Sequence, residues 1–538
     1  MGKTFISLLR SEFAGYNLSK LQKDVLAGIT VAAVALPLAL AFGVSSGATA
    51  AAGMVTAIIA GVVIGSLSGG FYQISGPTGA MAAILMSIAA TSGLTGILLA
   101  TFLAGVFLVL AGIFKLGSLT SFIPAPVITG FTSGIAIIIA LGQVDNFFGV
   151  KSQGHNLIEK LSSYQTLGFS AKPLTVAIGV LVVAGMIIYP KKWNQKIPAS
   201  LVAIILATAI TMLFKLPVAT VGKIPTSLIS DERLVLGSIQ LSSLKEVLVP
   251  SISIAMLGMI ESLLCGASAG RMTGKPLDSN QELVAQGVGN IILPFFGGIP
   301  ATAAIARTSV AIKSGAQTRL AGIFHALILL LSMLVLAPVM SQIPMPALAG
   351  VLIVTAWRMN EWHTITALVK KKYLAGIALF AVTMVSTVVF DLSLAIVIGI
   401  VAGCIFFVAK SAAITISVEE VDWSRMGLPQ SDTAKNWAVV YISGPLFFMS
   451  AEKLQQAFQS LSEREGVIFS MRGVPSIDLT ALDVFADFHQ LAQKREQEVI
   501  FTSLQPEVEK SLELLWHAEE KPEQHFSVAH ALHSLQKQ

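Results

Sequence analysis

Two short runs carry the chemistry of this sequence: Ser75-Gly76-Pro77-Thr78-Gly79-Ala80 and Gly297-Gly298-Ile299-Pro300-Ala301-Thr302-Ala303-Ala304. Each interrupts an apolar stretch with Gly and Pro and then continues into small residues. A helix that begins inside apolar surroundings turns unpaired N–H groups and the positive end of its dipole toward whatever lies before it. Proline at such a start loses no needed donor. Two starts aimed at one point would cage a small anion without any metal. The plainer alternative is a pair of structural kinks, which membrane helices tolerate. What favours a site is position, because each run falls in the third apolar segment of its half of the chain.

Two ionisable residues lie close by in sequence. Glu261 sits inside the apolar run Ser253 to Gly266, where a charged carboxylate costs at least about 2.5 kcal/mol on insertion scales. It could load and release a proton, help hold Na⁺, or remain a permanently protonated packing acid. Arg307 comes about two helical turns past Pro300, within Ala301 to Ile312, and cannot shed its charge. It requires an anion or a carboxylate, so it either lines the cavity as a counter-charge for substrate, pairs with Glu261, or snorkels to the interface. Ser75, Thr78, Thr302 and Thr308 could add neutral donors or serve only as helix-packing contacts.

The elements that must position these residues are membrane helices. Of the 538 residues, 54% are hydrophobic and only 12% charged, far from the ordinary soluble range. Hydropathy predicts about fourteen segments, seven between Val25 and Phe214 and seven between Pro250 and Lys410, some too short to span alone. Short loops that would face the cytoplasm carry Lys115, Arg271, Lys275, Lys313 and Arg319, so the positive-inside rule places both termini on the cytoplasmic side. Seven crossings leave the second half starting on the opposite face from the first, which makes inverted repeats plausible. Such repeats are typical of secondary carriers with midplane sites at broken helices.

Residues 1–414 carry a formal charge of +13 and residues 415–538 one of −8. That shift divides the chain into a cytoplasmic N-terminal segment at 1–24, a transmembrane domain at 25–414, a linker at 415–436 and a C-terminal domain at 437–538. In the last part, short strands alternate with amphipathic helices, which predicts a small α/β domain. Asp478 or Thr480 is suited to cap the helix after Ile477. Nucleic-acid binding is disfavoured, since a basic excess in a membrane chain reflects its cytoplasmic loops. Cys265 and Cys404 are the only cysteines. They support neither a disulfide framework nor a thiolate metal site, and no cofactor motif is present.

The chain resembles the sulfate permease (SulP) family, relatives of the animal solute-carrier anion exchangers and of prestin, over essentially its whole length. The resemblance rests on Phe122-Ile123-Pro124-Ala125-Pro126-Val127-Ile128 with Gly130-Phe131-Thr132, on Asp278-Ser279-Asn280-Gln281-Glu282-Leu283, and on Gly297 to Ser309 leading into Lys313-Ser314-Gly315. The tail, through Ile477-Asp478-Leu479-Thr480, is similar to the STAS domain that ends these proteins. The resemblance implies an all-α membrane domain with a seven-plus-seven inverted repeat, core and gate subdomains, an elevator-like movement and a homodimer in the inner membrane. It places the anion site at Ser75, Gly76, Pro77, Thr78, Gly79 and Ala80 and at Ala301, Thr302, Ala303 and Ala304, with Arg307 beside it and Glu261 at the position used for proton or sodium coupling. On the first helix, Leu36-Pro37-Leu38-Ala39-Leu40-Ala41 lacks the polar residue that animal members have after the proline. The expected function is proton-coupled sulfate symport. Fumarate or succinate uptake, sodium-coupled bicarbonate uptake, and a channel or STAS-signalling scaffold are the alternatives. An enzyme is disfavoured because paired carboxylates, nucleophile–base pairs and metal ligands are missing.

Overall fold

The computed structural model describes the chain apart from residues 1–4, 119–122, 155–156, 195–196, 223, 225, 231, 236, 238–240, 391, 412–413, 425–435, 514–521 and 538. Phe122 of the family-like run and half of the expected linker fall outside the described residues. The chain divides into two compact units, residues 1–400 and 401–538.

The first unit is helical. It opens with α1 (Phe5–Glu12), α2 (Leu18–Ser45) and α3 (Ala50–Leu67), followed by the two-residue strand β1 (Ser75–Gly76) and then α4 (Gly79–Ile113). Further along come α5 (Ala125–Leu141), the short α6 (Val144–Phe148) and α7 (Leu157–Leu167), α8 (Pro173–Ile188), α9 (Lys191–Asn194) and α10 (Ala199–Leu213). The second half holds α11 (Leu241–Thr273), α12 (Ser279–Ile292), strand β2 (Thr302–Ala303), α13 (Ile305–Lys313), α14 (Leu320–Met340), α15 (Met345–Met359), α16 (Trp362–Lys370), α17 (Leu374–Val389) and α18 (Leu392–Ser411), the last of which runs on into the second unit.

Local sequence explains the segmentation. Asn17 and Thr49 cap α2 and α3 by accepting from Lys20 N and Ala52 N. Gly93, at φ 63° and ψ −164°, breaks α4 into two helical pieces, a conformation open to glycine. Among the described residues, seven helices are long and apolar enough to cross a membrane, and α8, α10 and α17 are shorter apolar ones. Dividing α4 at Gly93 and adding α12, α13 and α15 gives the expected seven-plus-seven order. The short members cannot span by themselves. The nine residues of α13 rise only about 14 Å against the roughly 30 Å of a hydrocarbon core.

Two groups of helices emerge from the packing. In one, α4 lies against α11 and α12, and α14 against α2 and α3; in the other, α5 packs on α17 and α15 on α8. Small residues let backbones approach closely in the first group. A Cβ on Gly53 would sit 1.9 Å from Ala39 O, and one on Gly105 2.6 Å from Ile291 N.

The second unit contains a five-stranded sheet, β3 (Thr415–Glu420), β4 (Trp437–Ser443), β5 (Gly466–Gly473), β6 (Glu498–Thr502) and β7 (Glu523–His525), in that spatial order. Only the β3–β4 pair is antiparallel. Thr415–Glu420 lies in the stretch expected to be linker. Its residues alternate β-branched and polar types, and pairing with β4 satisfies a backbone edge that would otherwise stay open. One face is covered by α19 (Ala451–Gln459), α20 (Leu479–Lys494) and α21 (Pro506–Glu513) around Phe458, Phe469, Phe485 and Phe501; α22 (Val528–Leu535) covers the other against Trp437 and Ile500. Asp478 caps α20 by accepting from Ala481 N at 2.9 Å, and Thr480 is exposed.

Candidate functional site

The two interruptions meet. β1 and β2 pair antiparallel, Ser75 opposite Ala303 and Gly76 opposite Thr302, so the chain leaves each strand and enters a helix beside the crossing. Neither proline stands at a helix start as the sequence spacing suggested. Pro77 precedes the N-cap Thr78 of α4, and Pro300 lies five residues before α13 begins at Ile305. The segment between Pro300 and Ala304 is extended because its backbone is engaged elsewhere. Asn290 of α12 donates to Ala301 O (3.0 Å) and accepts from Ala301 N (2.8 Å), while Ala304 N donates to Ile74 O (2.9 Å). Thr56 Oγ1 accepts from Ile299 N at 2.7 Å.

This extended stretch moves Arg307. It lies in the first turn of α13, not two turns along a helix, and only 2% of it is exposed. Its Nη2 donates to Pro77 O at 2.8 Å, linking one broken helix to the other. Nη1 is buried without a hydrogen-bond partner among the described residues. It lies against Gly76, where an added Cβ would come within 2.6 Å. The described ion pairs do not join Arg307 to Glu261, and its depth is incompatible with snorkelling. A buried charge with one neutral acceptor and, among the described residues, an unpartnered N–H is chemically able to hold an anion.

Glu261 sits on the middle of α11 and is partly exposed. Its Oε2 accepts from Thr78 Oγ1 (2.8 Å) and from Thr302 Oγ1 (2.7 Å), and these hydroxyls are 3.3 Å apart. One acid thus takes a donor from each interruption. The first-turn N–H groups of Gly79 and Ala80 have no intrahelical acceptor. Ile139 of α5 and Phe42 of α2 close over them, since a Cβ on Gly79 would lie 2.3 Å and 3.1 Å from their side chains. Phe42 supplies an apolar wall where Leu36 to Ala41 offered no polar group.

The remaining sequence candidates have structural duties. Ser75 Oγ accepts from Gln286 Nε2 (2.9 Å), Ala303 N donates to Ser262 Oγ (3.2 Å), and Thr308 Oγ1 accepts from Ile74 N (3.0 Å) and from Cys265 Sγ (3.2 Å). Sequence reasoning missed Thr56, Gln286 and Asn290, which hold the crossing from behind. A signal existed: Glu282, Gln286 and Asn290 recur every four residues, a polar stripe on one face of α12.

Residues 21–383 match the model of the sulfate permease family, and residues 429–525 that of the STAS domain. YvdB of Bacillus subtilis, provisionally named a sulfate transporter, is 35% identical over 92% of this chain and 93% of its own length. The chain belongs to the sulfate permease family. Another member, the bicarbonate transporter BicA of Picosynechococcus, is 29% identical over 91% of this chain and 90% of its own. The solved transmembrane domain of a cyanobacterial BicA aligns with a TM-score of 0.65 at 30% identity, covering 72% of this chain and 98% of that one. Murine Slc26a9, an anion transporter solved in its inward-facing state, aligns over 100% of this chain and 96% of its own, with a TM-score of 0.87. At 16% identity that likeness concerns fold alone. As a sulfate permease family protein, this is a multi-pass membrane transporter of anions, not an enzyme, and it carries a C-terminal STAS domain.

Proposed function

We propose that the chain is a proton-coupled symporter of small anions, with sulfate as first substrate and a C4-dicarboxylate such as fumarate or succinate as second. It would work in the cytoplasmic membrane with both termini inside, as a homodimer whose inverted repeats carry the crossing across the bilayer by an elevator-like movement. The observation that carries this reading is the free Nη1 of Arg307, buried beside the starts of α4 and α13.

The coupling follows from competition for donors. Ionised Glu261 occupies the hydroxyls of Thr78 and Thr302 and repels an incoming anion. A proton on Glu261 cancels that repulsion and releases the hydroxyls, so anion and proton favour each other's binding and travel in the same direction. Ser75, Gly76, Pro77, Gly79 and Ala80 together with Ala301, Ala303, Ala304 and Thr308 then shape the cage, and Arg307 supplies its charge.

Proteoliposome uptake under an imposed proton gradient tests this. Labelled sulfate should accumulate, and Glu261→Gln should abolish accumulation while sparing binding. Failure of sulfate, fumarate and bicarbonate alike to accumulate under either a proton or a sodium gradient would falsify the symport reading. The second reading is sodium-coupled bicarbonate uptake, favoured by the similarity to BicA, and bicarbonate accumulation driven by sodium alone would select it.

A further inference from the structure

The Asp278 to Leu283 run contains a buried carboxylate that the coupling scheme leaves unused. Glu282 of α12 is 0% exposed. Its Oε2 accepts from Ser68 Oγ and from Gly69 N (3.0 Å), and its Oε1 accepts from Gln286 Nε2 (2.8 Å). The same Nε2 donates to Ser75 Oγ (2.9 Å), on the strand that forms the crossing. Gln286 Oε1, also buried, is left without a partner among the described residues, an uncommon position for a strong acceptor.

These heavy-atom positions serve two hydrogen-bond arrangements that differ by one proton. With Glu282 ionised, the amide NH₂ of Gln286 fills both bonds, and Ser75 keeps its own hydroxyl proton for use within the crossing. With Glu282 protonated, its O–H becomes a donor. The amide then turns over, and its oxygen, with two lone pairs, accepts from Glu282 and from Ser75 together. The proton of Ser75 is consumed. The amide NH₂ moves to the side where Oε1 has no partner now, so neither arrangement strands an additional group.

We propose that Glu282 is a second proton-sensing residue of the anion site, a positioning residue that acts through Gln286 on the hydroxyl of Ser75. This rests on the reading of the crossing as the anion site. Protonation of Glu282 withdraws the Ser75 donor from the anion, a loss opposite in sign to the effect of Glu261 and larger than the relief from Glu282's own charge, which lies behind the crossing next to the Arg319–Glu12 pair.

The surroundings of Glu282 hold few competing charges. The helices α3 and α4, packed against α12, contain no Asp, Glu, Lys, Arg or His. From α11 the titratable neighbour is Cys265. Arg319, in the turn before α14, is the cation close enough to act on Glu282, but its guanidinium is already paired with Glu12 at 2.7 Å.

Sulfate binding by the purified full-length chain tests the proposal, measured from neutral to mildly acid pH in a Glu261→Gln background where the coupling acid no longer titrates. Affinity should fall on the acid side. Glu282→Gln, a permanently neutral stand-in, should lower affinity about 2- to 12-fold, the worth of one neutral hydrogen bond, and flatten the acid limb. Ser75→Ala should do the same, and the double variant should be no weaker than either single one. Additive losses, or an acid limb retained in Ser75→Ala, overturn the proposal even if Glu282→Gln fails to fold. Sulfate binding unchanged in Arg307→Ala would overturn the site reading and this proposal with it, whereas binding lost there with the acid limb intact in Ser75→Ala overturns the relay alone.

Discussion

Arg307 and Arg319 lie twelve residues apart at opposite ends of one short stretch of chain, and both are buried, at 2% and 5% exposure. Their surroundings differ in kind. Arg319 is paired with a carboxylate: its Nε donates to Glu12 Oε2 at 2.7 Å, its Nη2 lies 2.7 Å from the same oxygen, its Nη1 donates to Ser66 O at 2.8 Å, its backbone N–H donates to Glu12 Oε1, and Phe5 stacks on it. Asp24 holds the same turn, accepting from Gln317 N, Thr318 N, Thr318 Oγ1 and Tyr16 OH. Among the described residues, Arg307 has one carbonyl partner and an Nη1 without one. Of two buried guanidiniums, only Arg319 has a carboxylate partner among the described residues, which leaves the charge of Arg307 to be answered by something else. The acids divide in the same way. Glu12 and Asp24 are tied down by backbone amides, while the described partners of Glu261 are two side-chain hydroxyls.

The largest expected effect lies at the carboxylate-paired arginine. Arg319→Ala leaves Glu12 buried and uncompensated, which should cost about 3–5 kcal/mol, read as a lowered melting temperature of the detergent-purified protein. Replacing Glu12 and Arg319 together by apolar residues of similar size should recover most of that loss. An Arg319→Ala protein as stable as the wild type would erase the distinction between the two arginines.

A smaller effect belongs to Tyr16 of the N-terminal clamp. Burial first, and its bond to Asp24 second, push its hydroxyl up to about 12. A phenol held above its unfolded value of about 10 contributes stability that is fully present below that value and lost as pH rises through about 12. The gap in melting temperature between wild type and Tyr16→Phe should therefore stay constant through neutral pH and close only in strong alkali. A gap that opens or closes near neutrality would contradict this.

Much of this was legible in the sequence. Gly and Pro at 76–79 and 297–300 announced the breaks, and a lone Glu261 and Arg307 in apolar runs stood out as candidates, because such residues are costly in a membrane. The strand pairing of Ser75 with Ala303 was not legible. Two residues per strand leave no periodicity, and the pairing is supported by side chains of neighbouring helices, Asn290 on Ala301 and the distant Thr56 on Ile299. Helix spacing misplaced Arg307 for the same reason: an extended Pro300–Ala304 segment looks like helix until the partners of its backbone are known. In the C-terminal domain, Leu479–Lys494 could be read to the residue because Asp478 caps it, whereas β3 lay hidden in a stretch whose charge resembled a linker.

The central claim is that an anion docks on the spare donor of Arg307, and direct measurement of sulfate binding to wild type and Arg307→Ala, alongside their melting temperatures without ligand, tests it. The account predicts an affinity loss of about 10- to 150-fold, the worth of a charged hydrogen bond, with an unliganded melting temperature no lower than wild type. Unchanged affinity, or a destabilisation matching that of Arg319→Ala, would make Arg307 a structural residue and contradict the account.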